Sequence, residues 1–262
     1  MSNKLKAHLP VFWHKSINYG DQLMPYLVEK ITNTPCIYVD PEEKITKLVG
    51  IGSILGADCT NSIIWGTGFA WHKEYKHEPI TNPLQINMVR GKLTQEKFHF
   101  HNIDCPSVYG DPALILPLLY NPPTNKTYQL GIIPHIIDLE KAKQQFTTEE
   151  LEKNNAAIID LTKPVEEVTR AIMSCHQTIS SSLHGVVVSH AYQIPCLWVE
   201  FSYNVIGQGF KFKDYFSSVD INPYNAFNLV EKQESINNII KNIPSEIPKN
   251  IDFKYILDAF PK

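Results

Sequence analysis

Short apolar runs rich in β-branched residues recur along this chain, with segments of helical spacing between them, and no other feature restricts the fold as much. In the first half the runs are VFWH (11–14), CIYV (36–39), LVGIG (48–52), SIIWGTG (62–68), INMVRG (86–91) and SVYGD (107–111). Their continuous apolar character suits strands buried on both faces, as in a parallel sheet. Leu23, Met24, Leu27, Val28 and Ile31 share one helical face between the first two runs. Strands alternating with helices predict an α/β fold with right-handed crossovers.

The rhythm breaks at Asn121-Pro-Pro-Thr-Asn-Lys-Thr127, which continues neither a helix nor a central strand, and then restarts with LGIIPH (130–135), AAIIDL (156–161), TISSS (178–182) and CLWVEF (196–201). The chain therefore reads as two Rossmann-like domains, 1–122 and 128–230, with a cleft between them. Residues 231–262 supply further helices, SINNIIKNI (235–243) and IDFKYILDAF (251–260), which suit packing on either sheet. There is no fixed-period repeat.

With 24 basic and 27 acidic residues the net charge is -3, so no global field recruits nucleic acid or an anionic membrane, and an anionic ligand must be held locally. Five cysteines, with no CxxC pair, argue against a disulfide framework or a structural zinc and point to a cytoplasmic protein. No window approaches the roughly 18 to 20 apolar residues of a membrane span, which leaves only peripheral contact with the inner membrane face open. Only two of the basic residues, Arg90 and Arg170, are arginines, so each invites a geometric reason such as bidentate anion contact.

Ligands of parallel α/β sheets sit beyond the C-terminal strand ends, at helix N-termini. The loops that fall there hold Asn18 and Asp21, Gly66 and Gly68, Arg90, Asp111, His135, and Ser180-Ser181-Ser182-Leu183-His184. The glycines permit close backbone approach, though for any one of them a tight strand-to-helix turn is the plainer reading. The GTG at 66–68 lacks the full dinucleotide fingerprint and there is no phosphate-binding GxxxxGK[ST] loop. Asp21 suits a helix N-cap or an acceptor-binding base, and Asp111 before Pro112 reads as a cap. Three serines and an imidazole exceed what one cap demands, so the 180–184 stretch reads as a floor for an anion such as phosphate. His190 reads as a packing or surface residue. Among the tryptophans, Trp65 and Trp198 lie within apolar runs and are assigned to the core, while Trp13 and Trp71 suit sugar stacking.

In order along the chain, NYGDQL, VGIGSIL, WGTGF, VRGKLT, YGDPALIL, IIPH, ISSSLHGVVVSHAYQIPCLWVEF and GFKFKDYFSS resemble the polysaccharide pyruvyltransferase family over roughly residues 16–220. The resemblance implies a GT-B-like fold, phosphoenolpyruvate as donor substrate with no other cofactor and no metal, and a cyclic pyruvate ketal on a sugar acceptor, free or lipid-linked, of a bacterial surface polysaccharide. It implies donor binding or catalysis by Arg90 and His184, one from each lobe of a shared crevice. Some members carry arginine where Ser182 stands here, and Lys211 or Lys213 is the candidate replacement. On this chemistry His184 is the general acid or phosphate clamp, Arg90 a bidentate donor clamp, the serine hydroxyls take the leaving phosphate, and Asp21 or His135 is the base for the sugar hydroxyl. Two other functions fit the same residues: a nucleotide-sugar glycosyltransferase on this architecture, and a non-catalytic carbohydrate-binding protein of polymer assembly.

Overall fold

The computed structural model describes residues 8–262, apart from 76, 246, 249 and 250. Two five-stranded, all-parallel sheets follow one another along the chain. The first comprises β1 (Leu9–Val11), β2 (Cys36–Tyr38), β3 (Lys47–Val49), β4 (Ser62–Trp65) and β5 (Gln85–Met88), with helices α1 (Tyr19–Thr32), α2 (Lys92–Phe100) and α3 (Leu116–Leu119). The second comprises β6 (Tyr128–Ile133), β7 (Ala156–Ile158), β8 (Cys175–Ser180), β9 (Cys196–Glu200) and β10 (Phe227–Asn228). Its helices are α4 (Leu139–Gln145), α5 (Thr148–Lys153), α6 (Val165–Met173), α7 (Leu183–Ala191) and α8 (Phe210–Ser218). Two more follow, α9 (Ile236–Lys241) and α10 (Phe253–Asp258).

The strand orders are β2-β1-β3-β4-β5 and β10-β9-β8-β6-β7. Counted by appearance within each half, both read 2-1-3-4-5, the doubly wound order in which the winding reverses once. The reversals fall between β1 and β3 and between β6 and β8, and a crevice opens beyond the strand ends at each.

Local chemistry fixes the elements that meet there. Asn18 caps α1, its Oδ1 accepting from the Gly20 N–H at 3.3 Å, and Asn33 ends the helix in the left-handed conformation at φ 50. Helix α7 is buried along its whole length, which explains its nearly unbroken apolar sequence. Trp65 and Trp198 are core residues, Trp198 stacking on Phe212 at 4.4 Å. The SVYGD segment differs from the expected strand: it contributes one parallel bridge, Val89 to Tyr109, because Asp111 and Pro112 turn the chain into a short 3-10 helix, Pro112–Ile115.

One apolar cluster runs through both halves, joining Leu23 and Leu27 of α1 to Val186 and Val187 of α7. Polar ties cross the same seam: the Tyr19 N–H donates to the Leu161 carbonyl at 2.8 Å, and the Tyr19 hydroxyl pairs with that of Thr169 at 2.9 Å. Helix α9 buries Ile236 and Ile239 in the core of the second sheet. Helix α10 packs on the first sheet, where the Trp65 indole N–H donates to the Ile256 carbonyl at 2.9 Å and Phe260 meets the indole edge-on at 4.8 Å.

Candidate active site

A cavity of about 370 Å³ lies where the two reversal points face each other. It is lined by His14 and Ser16 after β1, Ser53 and Ile54 after β3, His135 after β6, and Ser182 after β8. Asn18, Asp21 and His184 line it from the helix tips, and Lys211 reaches it from α8. Each half supplies the strand ends where a doubly wound sheet binds ligands, so neither half builds the site alone.

Lys211 is the cation of this cavity. It is 8% exposed, and among the described residues no hydrogen bond or ion pair satisfies its ammonium. Burial, and after it the nearby Arg90 guanidinium, pulls its pKa down to about 8, while Asp21 and Asp138 act in the opposite direction. His135 is pushed down to about 4, first by burial and then by Lys211, so it is neutral at neutral pH. Its Nδ1 accepts from the Ile137 N–H at 3.4 Å, which places the remaining proton on Nε2. His135 is therefore a neutral donor, and the arrangement does not favour it as the base expected from sequence.

His184 stands in the first turn of α7, 7% exposed. Its Nε2 is buried with no hydrogen-bond partner and lies 3.6 Å from Asp111 Oδ2. The opposite nitrogen lies over Gly20, so close that a Cβ there would fall 2.1 Å from Nδ1. Gly20 is thus a glycine for the histidine's sake, a requirement that sequence alone did not reveal.

The three serines divide. Ser180 Oγ is engaged within the protein: it donates to the Ile133 carbonyl at the end of β6 at 2.8 Å or to that of Ser182 at 2.9 Å, and accepts from the Ser182 N–H at 3.0 Å. Ser181 Oγ donates to Asp138 at 2.8 Å and accepts from the His135 N–H at 2.9 Å. Only Ser182 lines the cavity; it occupies the N-cap of α7 without capping through its side chain, which leaves the helix tip open to an anion. The anion floor read from sequence is therefore one hydroxyl, one helix tip and one imidazole.

Arg90 requires a larger correction. It is 0% exposed and does not line the cavity. Its Nε donates to Asp214 Oδ2 at 2.9 Å, one terminal nitrogen to Ser53 Oγ at 2.7 Å and the Gly52 carbonyl at 3.4 Å, and the other to the Phe69 carbonyl at 2.7 Å. Asp214, on α8, also accepts from the N–H and hydroxyl of Thr94 at 2.8 and 2.7 Å. Instead of gripping a ligand, the guanidinium fastens α8 to the first half and holds Ser53, a cavity residue, from behind.

Gly66 and Gly68 also lie behind the wall. Gly66 has φ +91 and abuts Pro112, and Gly68 leaves room for the Arg90 guanidinium. Lys213 points elsewhere, its ammonium donating to Asn225 Oδ1 at 3.1 Å. Asp21 is not the cap of α1, since Asn18 holds that place; its carboxylate faces the cavity and accepts from Ser16 Oγ at 2.5 Å, with His14 Nδ1 at 3.2 Å. Asp111 caps its 3-10 helix as its sequence suggests, Oδ1 accepting from the Ala113 N–H at 2.9 Å. His190 is a core residue paired to the Tyr215 hydroxyl at 3.0 Å.

A family model for polysaccharide pyruvyl transferase matches residues 55–203, and the chain belongs to that family. It is accordingly a polysaccharide pyruvyltransferase enzyme. It is also similar to an uncharacterized protein of Acanthamoeba polyphaga mimivirus, 27% identical over 243 residues, covering 89% of this chain and 83% of that protein. No helix among the described residues is long and apolar enough to cross a membrane.

Proposed function

We propose that the enzyme takes its pyruvyl group from phosphoenolpyruvate and closes it as a cyclic ketal on two hydroxyls of a sugar in a surface-polysaccharide precursor, releasing phosphate. The observation that carries this reading is Lys211, a largely buried residue whose ammonium has no partner among the described residues and which lines the cavity together with Ser182, His184 and the open tip of α7. A cation largely withdrawn from water and left without a partner is poorly solvated, and a doubly charged phosphate ester offsets that cost while also engaging the helix tip. We read the two sheets, with their shared strand order, as two nucleotide-fold domains in a GT-B-like arrangement, 1–122 and 128–230, with the donor phosphate on the second. We place the reaction in the cytoplasm or at the inner membrane face, in keeping with five free cysteines.

The steps balance without an external redox partner. A proton from His184 adds to the donor methylene, a sugar hydroxyl attacks C2 and passes its proton to Asp21, phosphate departs, and the second hydroxyl closes the ring. The second hydroxyl's proton leaves with the phosphate. Ser182, Lys211 and the α7 amides stabilise the charge gathering on the leaving group. Arg90 takes part only by fixing Ser53 and α8.

The test is incubation with phosphoenolpyruvate and candidate hexose or N-acetylhexosamine acceptors, reading phosphate release together with an acceptor mass gain of pyruvate less water. Thermal stabilisation by nucleotide sugars but not by phosphoenolpyruvate would sink the donor assignment.

A further inference from the structure

We infer that Asp111 is a positioning residue for His184: it holds a proton on Nε2 and thereby makes Nδ1 the nitrogen that handles protons in the cavity. This rests on the reading of His184 as proton donor given above. Asp111 comes from the loop before the Pro112–Ile115 turn of the first half, whereas His184 opens α7 of the second. Nothing in the capping role of Asp111 requires both of its oxygens. Oδ1 satisfies the Ala113 N–H at 2.9 Å, and Oδ2 is left facing His184 Nε2 at 3.6 Å.

Nε2 is one of the few buried side-chain nitrogens among the described residues with no hydrogen-bond partner, and such a group needs an explanation. At 3.6 Å the pair is within ion-pair reach but beyond hydrogen-bond distance. Catalytic hydrogen bonds are often long before substrate arrives and shorten in the complex. Because Nε2 is sealed on the Asp111 side and the residue still lines the cavity, the ring edge that meets substrate is the one carrying Nδ1, above Gly20.

With both nitrogens protonated, the Nε2–H faces Asp111 Oδ2 and the Nδ1–H faces the cavity side. Loss of the Nδ1 proton to the donor methylene, whose π electrons form the new C–H bond, leaves the neutral ring with its proton on Nε2. The hydroxyl proton taken up at Asp21 or released to solvent keeps the overall count of protons unchanged.

The experiment uses the full chain labelled with nitrogen-15 at histidine, with His184 identified by difference against His184→Ala. The expected neutral tautomer is Nε2–H. Asp111→Asn keeps the turn cap, since the amide oxygen still accepts from Ala113, but its NH₂ group faces Nε2 as a donor and switches the ring to Nδ1–H. The same variant is expected to lower kcat by about a hundredfold or more, with KM changed by no more than about threefold, as for loss of a general acid rather than of binding. A wild-type His184 found as Nδ1–H overturns the pairing before any variant is made. So does an Asp111→Asn enzyme with an unchanged tautomer and wild-type kcat. If His184→Ala turns over normally while Asp111→Asn still switches the tautomer, the proton-donor reading of His184 fails and the pairing stands.

Discussion

Arg90 and Lys211 are both withdrawn from solvent, and they lie near enough that, after burial, the guanidinium is the next largest influence lowering the lysine's pKa. Their surroundings are nonetheless opposite. Arg90 has acceptors for four of its N–H bonds, one of them the Asp214 carboxylate, and Lys211 has none among the described residues. A saturated buried cation is a fastening, and an unsaturated one that faces a cavity is a place kept for an anion. The expectation that the rare arginine grips the donor followed from the chemistry of its fork; the fork is used, but on the protein itself.

The largest effect that can break this contrast is on stability. Arg90→Ala is expected to lower the unfolding free energy by about 3–5 kcal/mol, since it strands Asp214 in the interior. Urea denaturation measures it, and a loss below about 1 kcal/mol would remove the fastening role. Lys211→Met should do the reverse: melting temperature held or raised, and phosphoenolpyruvate or phosphate bound about ten- to a hundredfold more weakly in a calorimetric titration. Gly20→Ala sharpens the picture on the histidine side, because its Cβ would fall 2.1 Å from His184 Nδ1. Displacing the ring is expected to cost about 1–3 kcal/mol of stability and most of the turnover.

Next comes pH. Lys211 titrates at about 8 in the folded chain and near its ordinary value, about 10.5, when unfolded. Below 8 it is charged in both states and its burial penalty is fully present. Between 8 and 10.5 the unfolded chain binds the extra proton, so this group's contribution to stability improves as pH rises. Anion affinity moves the other way, falling about tenfold per unit once pH exceeds 8, and binding below neutral-to-alkaline pH should not take up a proton at this site. Affinity that stays flat to pH 10 would dissociate Lys211 from the anion. The smallest effect is Lys213→Ala, expected to change stability by no more than about 0.5 kcal/mol and anion binding not at all.

The sheets were legible because burial on both faces writes itself into sequence as unbroken apolar runs, and nine of the ten described strands overlap such runs, β1 by Val11 alone. Strand β10 has two residues and no run long enough to register, and SVYGD has the composition of a strand but is cut short by its own Asp-Pro turn. Site loops could be listed from strand ends, which is how Asn18, Asp21, His135, Ser182 and His184 are named, whereas Lys211 enters only through the family resemblance. What sequence does not carry is the accounting of hydrogen bonds across the chain. The partner of Arg90 is 124 residues away, and Ser181 is occupied by Asp138, 43 residues away. Only the folded arrangement shows that those groups are already engaged. Gly20 was visible in NYGDQL, but the reason for it lies in α7.

The packing of α10 against the first sheet has a consequence for synthesis. Trp65 receives its indole partner from Ile256 and its edge contact from Phe260, about two hundred residues later, and Asn87 donates to the Ala259 carbonyl at 2.9 Å. A ribosome making this chain exposes the opening β-strands well before the segment that closes their core has been translated. The first half of the nascent polypeptide must therefore wait, unfinished, until residues 256–260 have emerged.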